Sequence, residues 1–366
     1  MSDNPWAAPG QEPPPPGPQP PPPPGQQPPA PGASQQPPPA PPPWGAVDFQ
    51  PGIVPLRRLG LGDIYSGVMR LIRGNPGATV GMALVVTLAV TVPLTALAAV
   101  LTATLAPALS EDGISGEAGI ADLLTNLPSL GQLVIGLLLP LFIAWVTHQA
   151  VLGRKVGMGE TWQGTKDRVL PGLGALLLAA VLYLLPLTLI GGLFAGVVLA
   201  AISVGGGGGV ALGIAGGGLL LLVWVIVALY LWTRLAFVFP ALTVERLGPV
   251  AAIRRSWRLT GGRRFWPVLG IRLLTSVLIG VVGAIISLPL GLIAGVAQVV
   301  LAGDGNAGYV VLAVANGLAL IISAALTTPI TAGVDALLYI GQRMEHEGYD
   351  IELIRQTGGR PGGQTG

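Results

Sequence analysis

Residues 249–267 read PVAAIRRSWRLTGGRRFWP. Arg254, Arg255, Arg258, Arg263 and Arg264 alternate here with Trp257 and Trp266, and a long apolar run begins at Pro267. Val250, Ile253 and Trp257 recur at spacings of three and four, so they share one face of a short helix, with Arg254, Arg255 and Arg258 on the other. A basic, tryptophan-bearing helix that leads into an apolar run long enough to cross a bilayer is a membrane-surface element. That reading sets the fold class of the whole chain.

Composition agrees. Of 366 residues, 51% are hydrophobic and 10% charged, against roughly 25% charged in an ordinary soluble domain. The average conceals two parts. Residues 1–55 hold proline runs such as Pro13–Pro16 and Pro20–Pro24 broken by Gly and Gln; such a segment favours extended polyproline II and cannot bury enough apolar surface to fold. It is predicted to be a disordered cytoplasmic tail, and it lacks the basic and apolar regions of a signal peptide.

Residues 56–345 form the predicted membrane domain, with spans at about 78–106, 130–152, 171–204, 219–240, 267–301 and 309–340. Residues 346–366 read as a solvated cytoplasmic tail. Two weaker relatives of the basic helix precede other spans. Leu61, Ile64, Tyr65, Val68, Leu71 and Ile72 line one helical face before the first, and Gly153–Arg168 precedes the third, with Met158, Trp162 and Val169 on its apolar side. The expected fold is an all-α integral membrane protein of three helical hairpins, each preceded by a short interfacial amphipathic helix. A loose turn is expected at Gly205–Gly209 and Gly216–Gly218.

Charge orients the spans. Every one of the 19 Lys and Arg residues lies in the N-terminal part, the second or fourth loop, the C-terminal tail, or a helix end beside them. The first loop carries Glu111, Asp112, Glu117 and Asp122, and the fifth carries Asp304. The positive-inside rule then places both termini in the cytoplasm.

The interfacial elements also suggest an internal repeat. Ile64-Tyr65-Ser66-Gly67 precedes Pro76, Thr161-Trp162-Gln163-Gly164 precedes Pro171, and Ser256-Trp257-Arg258 precedes Pro267. Pro93-Leu94-Thr95, Pro186-Leu187-Thr188 and Pro289-Leu290-Gly291 then recur within the following spans. Three parallel two-span units would be related by an axis along the membrane normal. Gly192 with Gly196, and Gly291 with Gly295, are expected to let helices approach closely.

Chemistry-bearing groups are few. Cysteine is absent and His148 and His346 stand far apart, so no disulfide, thiolate or histidine-rich metal site is expected, and no cofactor. His346 lies between Glu345 and Glu347, but adjacent helical residues do not face one another. Paired catalytic carboxylates, a nucleophile elbow, a Walker lysine and a zinc motif are all missing, so an enzyme is not expected. Candidate intramembrane polar residues are His148, Arg234, Arg272, Asn316 and Asp335; the arginines are expected to anchor by reaching the interface, or Arg234 to pair with Asp335, rather than to line an ion pathway, and Asn316 with a few Thr hydroxyls suits interhelical hydrogen bonding. Candidate lipid-headgroup contacts are Arg254, Arg255, Trp257, Arg258, Arg263, Arg264 and Trp266, with Trp162, Lys166 and Arg168 from the second element. Tryptophan beside a span favours anionic headgroups over nucleic acid, at roughly 1 kcal/mol per basic residue near the surface.

Ser256-Trp257-Arg258-Leu259 with Arg264-Phe265-Trp266, the stretch Pro55-Leu56-Arg57 through Leu61-Gly62-Asp63-Ile64 to Asn75-Pro76, and Leu338-Tyr339 through Arg343 to Glu347-Gly348-Tyr349-Asp350 together resemble a known family. It comprises actinobacterial membrane proteins related to the glycerophosphoryl diester phosphodiesterase membrane domain. The resemblance spans about 51–354 and implies a six-helix inner-membrane module, often with a proline-rich cytoplasmic tail. Some members carry a phosphodiesterase barrel, for which this chain has neither room nor motifs. The expected role is structural or scaffolding, in lipid or envelope homeostasis. A small-solute transporter, and an anchor that recruits a protein partner through the proline-rich tail, are the alternatives.

Overall fold

The computed structural model describes residues 50–110, 126–301 and 307–356, all within one compact unit, Asp48–Gly366. The proline-rich tail to residue 49, the acidic first loop, Asp304 and the final glycines lie outside the described residues. Among the described residues there is no strand, and six helices are long and apolar enough to cross a membrane. The chain is a multi-pass helical membrane protein.

Helix α1 (Leu61–Gly74) precedes a π-turn at Gly77–Gly81 that leads into α2 (Met82–Ser110), and α3 (Gly131–Val151) returns. Helix α4 (Met158–Val204) is followed by a return path of α5 (Gly206–Leu212), a π-turn (Gly213–Gly217), α6 (Gly218–Arg234) and α7 (Val238–Val244). Helix α8 (Pro249–Leu259) and a 3-10 turn (Gly262–Arg264) precede the hairpin of α9 (Phe265–Val300) and α10 (Ala307–Glu347), after which comes α11 (Tyr349–Gln356).

Several boundaries depart from the sequence reading. The second interfacial element is not a separate helix: α4 runs unbroken through Pro171 for 47 residues. At 1.5 Å per residue that is about 70 Å, more than twice the ~30 Å hydrocarbon layer. Tertiary packing supports the join, because Thr161 and Thr165 are buried and Gly164 lets α4 approach α3 so closely that a Cβ there would lie 2.4 Å from the Trp145 ring. The glycine-rich stretch after α4 is also no loose turn. Only Gly205 and Gly206 take positive φ, at 63° and 55°; the glycines after them are helical and lengthen the fourth span to Gly206–Val244.

Both predicted tails begin further out than expected. Ile53, Val54 and Leu56 are core residues, and the Ile53 N–H donates to the Ala150 carbonyl at 3.2 Å. Gly52 makes that approach possible, since a Cβ would lie 2.1 Å from the Ala150 oxygen. At the other end, Tyr349 and Leu353 of α11 are buried, so the segment to residue 356 is a docked helix where a solvated tail is expected from sequence.

Burial is uneven. The most apolar window of α3 is 61% buried, against 11% in α4 and 6% in α9. The main core lies at the arginine-rich end, where Ile64, Val68 and Leu71 of α1 meet Val146 of α3, Phe237 just before α7, Leu242 within it, and Leu337 and Tyr339 of α10. Elsewhere α4, α6 and α9 present Leu, Val and Ile outward, as hydrocarbon surroundings require. The predicted close packing at Gly192, Gly196, Gly291 and Gly295 does not occur; a side chain at each would meet open space.

Candidate functional site: arginines at one end of the bundle

The break between α6 and α7 organises this end. A helix break frees backbone groups that must be satisfied elsewhere. Here Ser256 of α8 does so with one hydroxyl, donating to the Arg234 carbonyl at 2.6 Å and accepting from the Phe237 N–H at 3.0 Å. Docking through Ser256 turns α8 relative to its predicted face. Ala252, Arg255, Ser256 and Leu259 are buried, while Val250, on the apolar stripe read from sequence, is 59% exposed. The polar bonds available to Ser256 and Arg255 set that rotation.

Arg255 is therefore no headgroup contact. It is 7% exposed and holds two carboxylates. Its Nε and Nη2 donate to Glu245 Oε1 at 2.8 and 2.7 Å, and its Nη1 and Nη2 donate to Glu347 Oε1 and Oε2 at 2.5 Å each. Burial alone would lower its pKa, but the bonds to Glu347 and Glu245 outweigh it and hold the guanidinium above its ordinary range. Arg343 Nε lies 3.2 Å from Glu245 and 3.3 Å from Glu347. Tyr339 donates to Glu245, Arg343 stacks 3.6 Å from the centre of the Tyr349 ring, and the Tyr349 hydroxyl lies 3.0 Å from His148 Nε2. One charge-balanced network thus joins α3, α7, α8, α10 and α11.

The expected Arg234–Asp335 pair does not form. Arg234 donates to the Trp257 carbonyl at 3.0 Å and lies 5.0, 5.5 and 6.0 Å from the ring centres of Tyr230, Trp257 and Phe265. Trp257 is thereby half-buried against Arg234. Asp335 instead takes Arg272 Nε at 3.0 Å on Oδ1 and Nη2 at 3.3 Å on Oδ2. Arg272 also donates to the Trp232 carbonyl and stacks 4.0 Å from the Trp232 ring centre.

Deeper in the bilayer, most threonines donate to a carbonyl four residues back, as Thr147 and Thr327 do, so they do not provide the expected links between helices. An exception is Tyr65, whose hydroxyl lies 2.8 Å from that of Thr275. Along α2, the hydroxyls of Thr87, Thr91 and Thr95 are buried without a partner. Asn316 is half-buried beside Gly317, where the missing side chain leaves room for Thr95.

The remaining basic residues are solvent-accessible to different degrees. Arg254, Arg258 and Lys166 are exposed. Arg168 donates to the Arg246 carbonyl at 2.8 Å, and Trp162 packs edge-on to Phe142 at 6.0 Å while 47% exposed. Arg263 and Arg264 border a cavity of about 450 Å³ together with Arg58. Leu59, Ile64, Ile271, Leu337 and Leu338 supply its apolar surface, and Glu345 and His346 stand at its edge. Arg58 pairs with Glu345. Three arginines against one carboxylate leave the cavity basic, and Trp266 nearby in sequence is 71% exposed.

Residues 214–344 match the membrane domain of glycerophosphoryl diester phosphodiesterase. The resemblance read from the residues is shown over this segment, which runs from the second π-turn through most of α10. It holds Arg234, Ser256, Arg255 and the Arg272–Asp335 pair, but ends before Glu347, the second carboxylate of the network. With no strand among the described residues, the described chain holds no phosphodiesterase barrel. No curated protein and no solved structure matches the chain.

Sequence reasoning missed Arg58, Glu245, Arg343 and Glu347 as members of these sites. Glu245 carried a weak signal, being a carboxylate between a long apolar span and an arginine cluster. Arg58 carried none, because it adjoined a segment assigned to a disordered tail.

Proposed function

We propose that this multi-pass membrane protein binds anionic lipid headgroups at the cytoplasmic leaflet and acts as a structural or scaffolding component in membrane lipid or envelope homeostasis. The supporting observation is the convergence of Arg58, Arg263 and Arg264 on one cavity with an apolar floor. Arginine presents paired donors that suit a phosphodiester, and the apolar surface beside them suits the first carbons of an acyl chain. Gln342 also borders the cavity, and its Oε1 is buried without a partner, so a headgroup hydroxyl next to the phosphate would complete its hydrogen bonding. Outward-facing Trp266 fits the aromatic belt at the membrane interface.

The test is lipid enrichment around the purified full chain, measured by mass spectrometry after extraction from membranes of mixed phosphatidylglycerol and phosphatidylcholine. Wild-type protein should retain phosphatidylglycerol preferentially, and the double variant Arg263→Gln/Arg264→Gln should lose that preference. Equal retention of both lipids by wild type, or an unchanged preference in the variant, would sink the proposal.

A further inference from the structure

A second cavity, of about 350 Å³, shares no lining residue with the basic one. Its walls include Ala179 and Tyr183 of α4, Trp232 of α6, and Thr328 and Thr331 of α10, with the Arg272–Asp335 pair at its polar edge. These residues all lie within the six span-forming segments, and most of the lining is apolar, as an occupant from the bilayer would require. Helix α4 makes no substantial contact with either α9 or α10, although α6 does contact α9, so a cleft is left between α4 and α10 with Trp232 and the Arg272–Asp335 pair beside it. Its size falls within the ~300–1,000 Å³ of small-ligand sites.

The chemistry of the polar edge selects the occupant. Asp335 cancels the charge of Arg272, and its carboxylate would repel a phosphate. A guanidinium has five N–H donors; the bonds to Asp335 and to the Trp232 carbonyl use three of them. An uncharged hydroxyl can donate to the carboxylate and accept from a remaining N–H, and an alkyl chain matches the Leu176, Ala179 and Ala180 side of the cleft. We propose that this cleft binds a membrane amphiphile with an uncharged hydroxylated headgroup, of the acylglycerol class, with the head at Arg272–Asp335 and the chain between α4 and α10. The site is independent of the anionic one.

The experiment uses the full chain in nanodiscs containing a diacylglycerol with a photoactivatable acyl chain. Labelling is expected on α4 and α10 peptides, competed by unlabelled diacylglycerol and not by phosphatidic acid. Ala179→Phe, which fills the cleft from α4, should abolish most of it, and Thr328→Phe repeats the block from the opposite wall should the first variant fold poorly. Arg263→Gln/Arg264→Gln should leave labelling intact, which separates this site from the basic cavity. Competition by phosphatidic acid equal to that by diacylglycerol, or labelling that survives both folded blocking variants, would overturn the assignment.

Discussion

Arg255 and Arg264 stand nine positions apart in one basic stretch, yet they end in opposite settings. Arg255 is enclosed by Glu245 and Glu347 and shares them with Arg343. Arg264 and its neighbour Arg263 line an open cavity. The turn between them decides the split. Three residues past the end of α8, Gly262 takes a positive φ of 62° and redirects the next two arginines. Identical side chains therefore serve as a structural tie on one side of that glycine and as available ligands on the other.

Three variants would break or sharpen this contrast. The largest effect is expected from Arg255→Leu, which strips two carboxylates of their main partner. Removing one member of a buried pair costs about 3–5 kcal/mol, and water access to Glu347, whose side chain is 32% exposed, reduces the expected loss to about 2–3 kcal/mol. Thermal unfolding in detergent would measure it, and a wild-type melting temperature would show that the network contributes nothing.

Ser256→Ala should cost about 1–2 kcal/mol, because the Phe237 N–H and the Arg234 carbonyl lose their shared partner at the break. Hydrogen exchange at the Phe237 amide is the specific readout; unchanged protection there would show that the break is satisfied in another way. The smallest effect is reserved for the second group of arginines. Arg263→Gln/Arg264→Gln should shift stability by no more than about 0.5 kcal/mol, as surface substitutions usually do, while abolishing the phosphatidylglycerol preference. A stability loss as large as that of Arg255→Leu would erase the distinction between the two groups.

Much of the architecture was legible in the chain. Six apolar runs, a basic residue set confined to alternate loops, and Pro and Gly near the span ends lead to the helical membrane class, because hydropathy sums along a local window and a bilayer requires backbone satisfaction within each helix. The presence of the basic cavity was half-legible. Arg263 and Arg264 were among the residues singled out, but Arg58 comes from a segment more than 200 positions earlier and joins them only through folding.

Tertiary structure alone decided which arginines are free. Glu347 reaches Arg255 across 92 positions, and Asp335 takes Arg272 across 63. Neutralising a buried charge depends on partners brought in from distant helices, and no local pattern encodes them. Partners from distant elements likewise turned α8 away from its apolar stripe, through Ser256, and anchored Ile53 and Val54 in the core, through Gly52 and Ala150. Apolar runs and positive charge, which act locally and by count, were set by the sequence itself; the pairing of charges, which acts at hydrogen-bond range, waited for the fold.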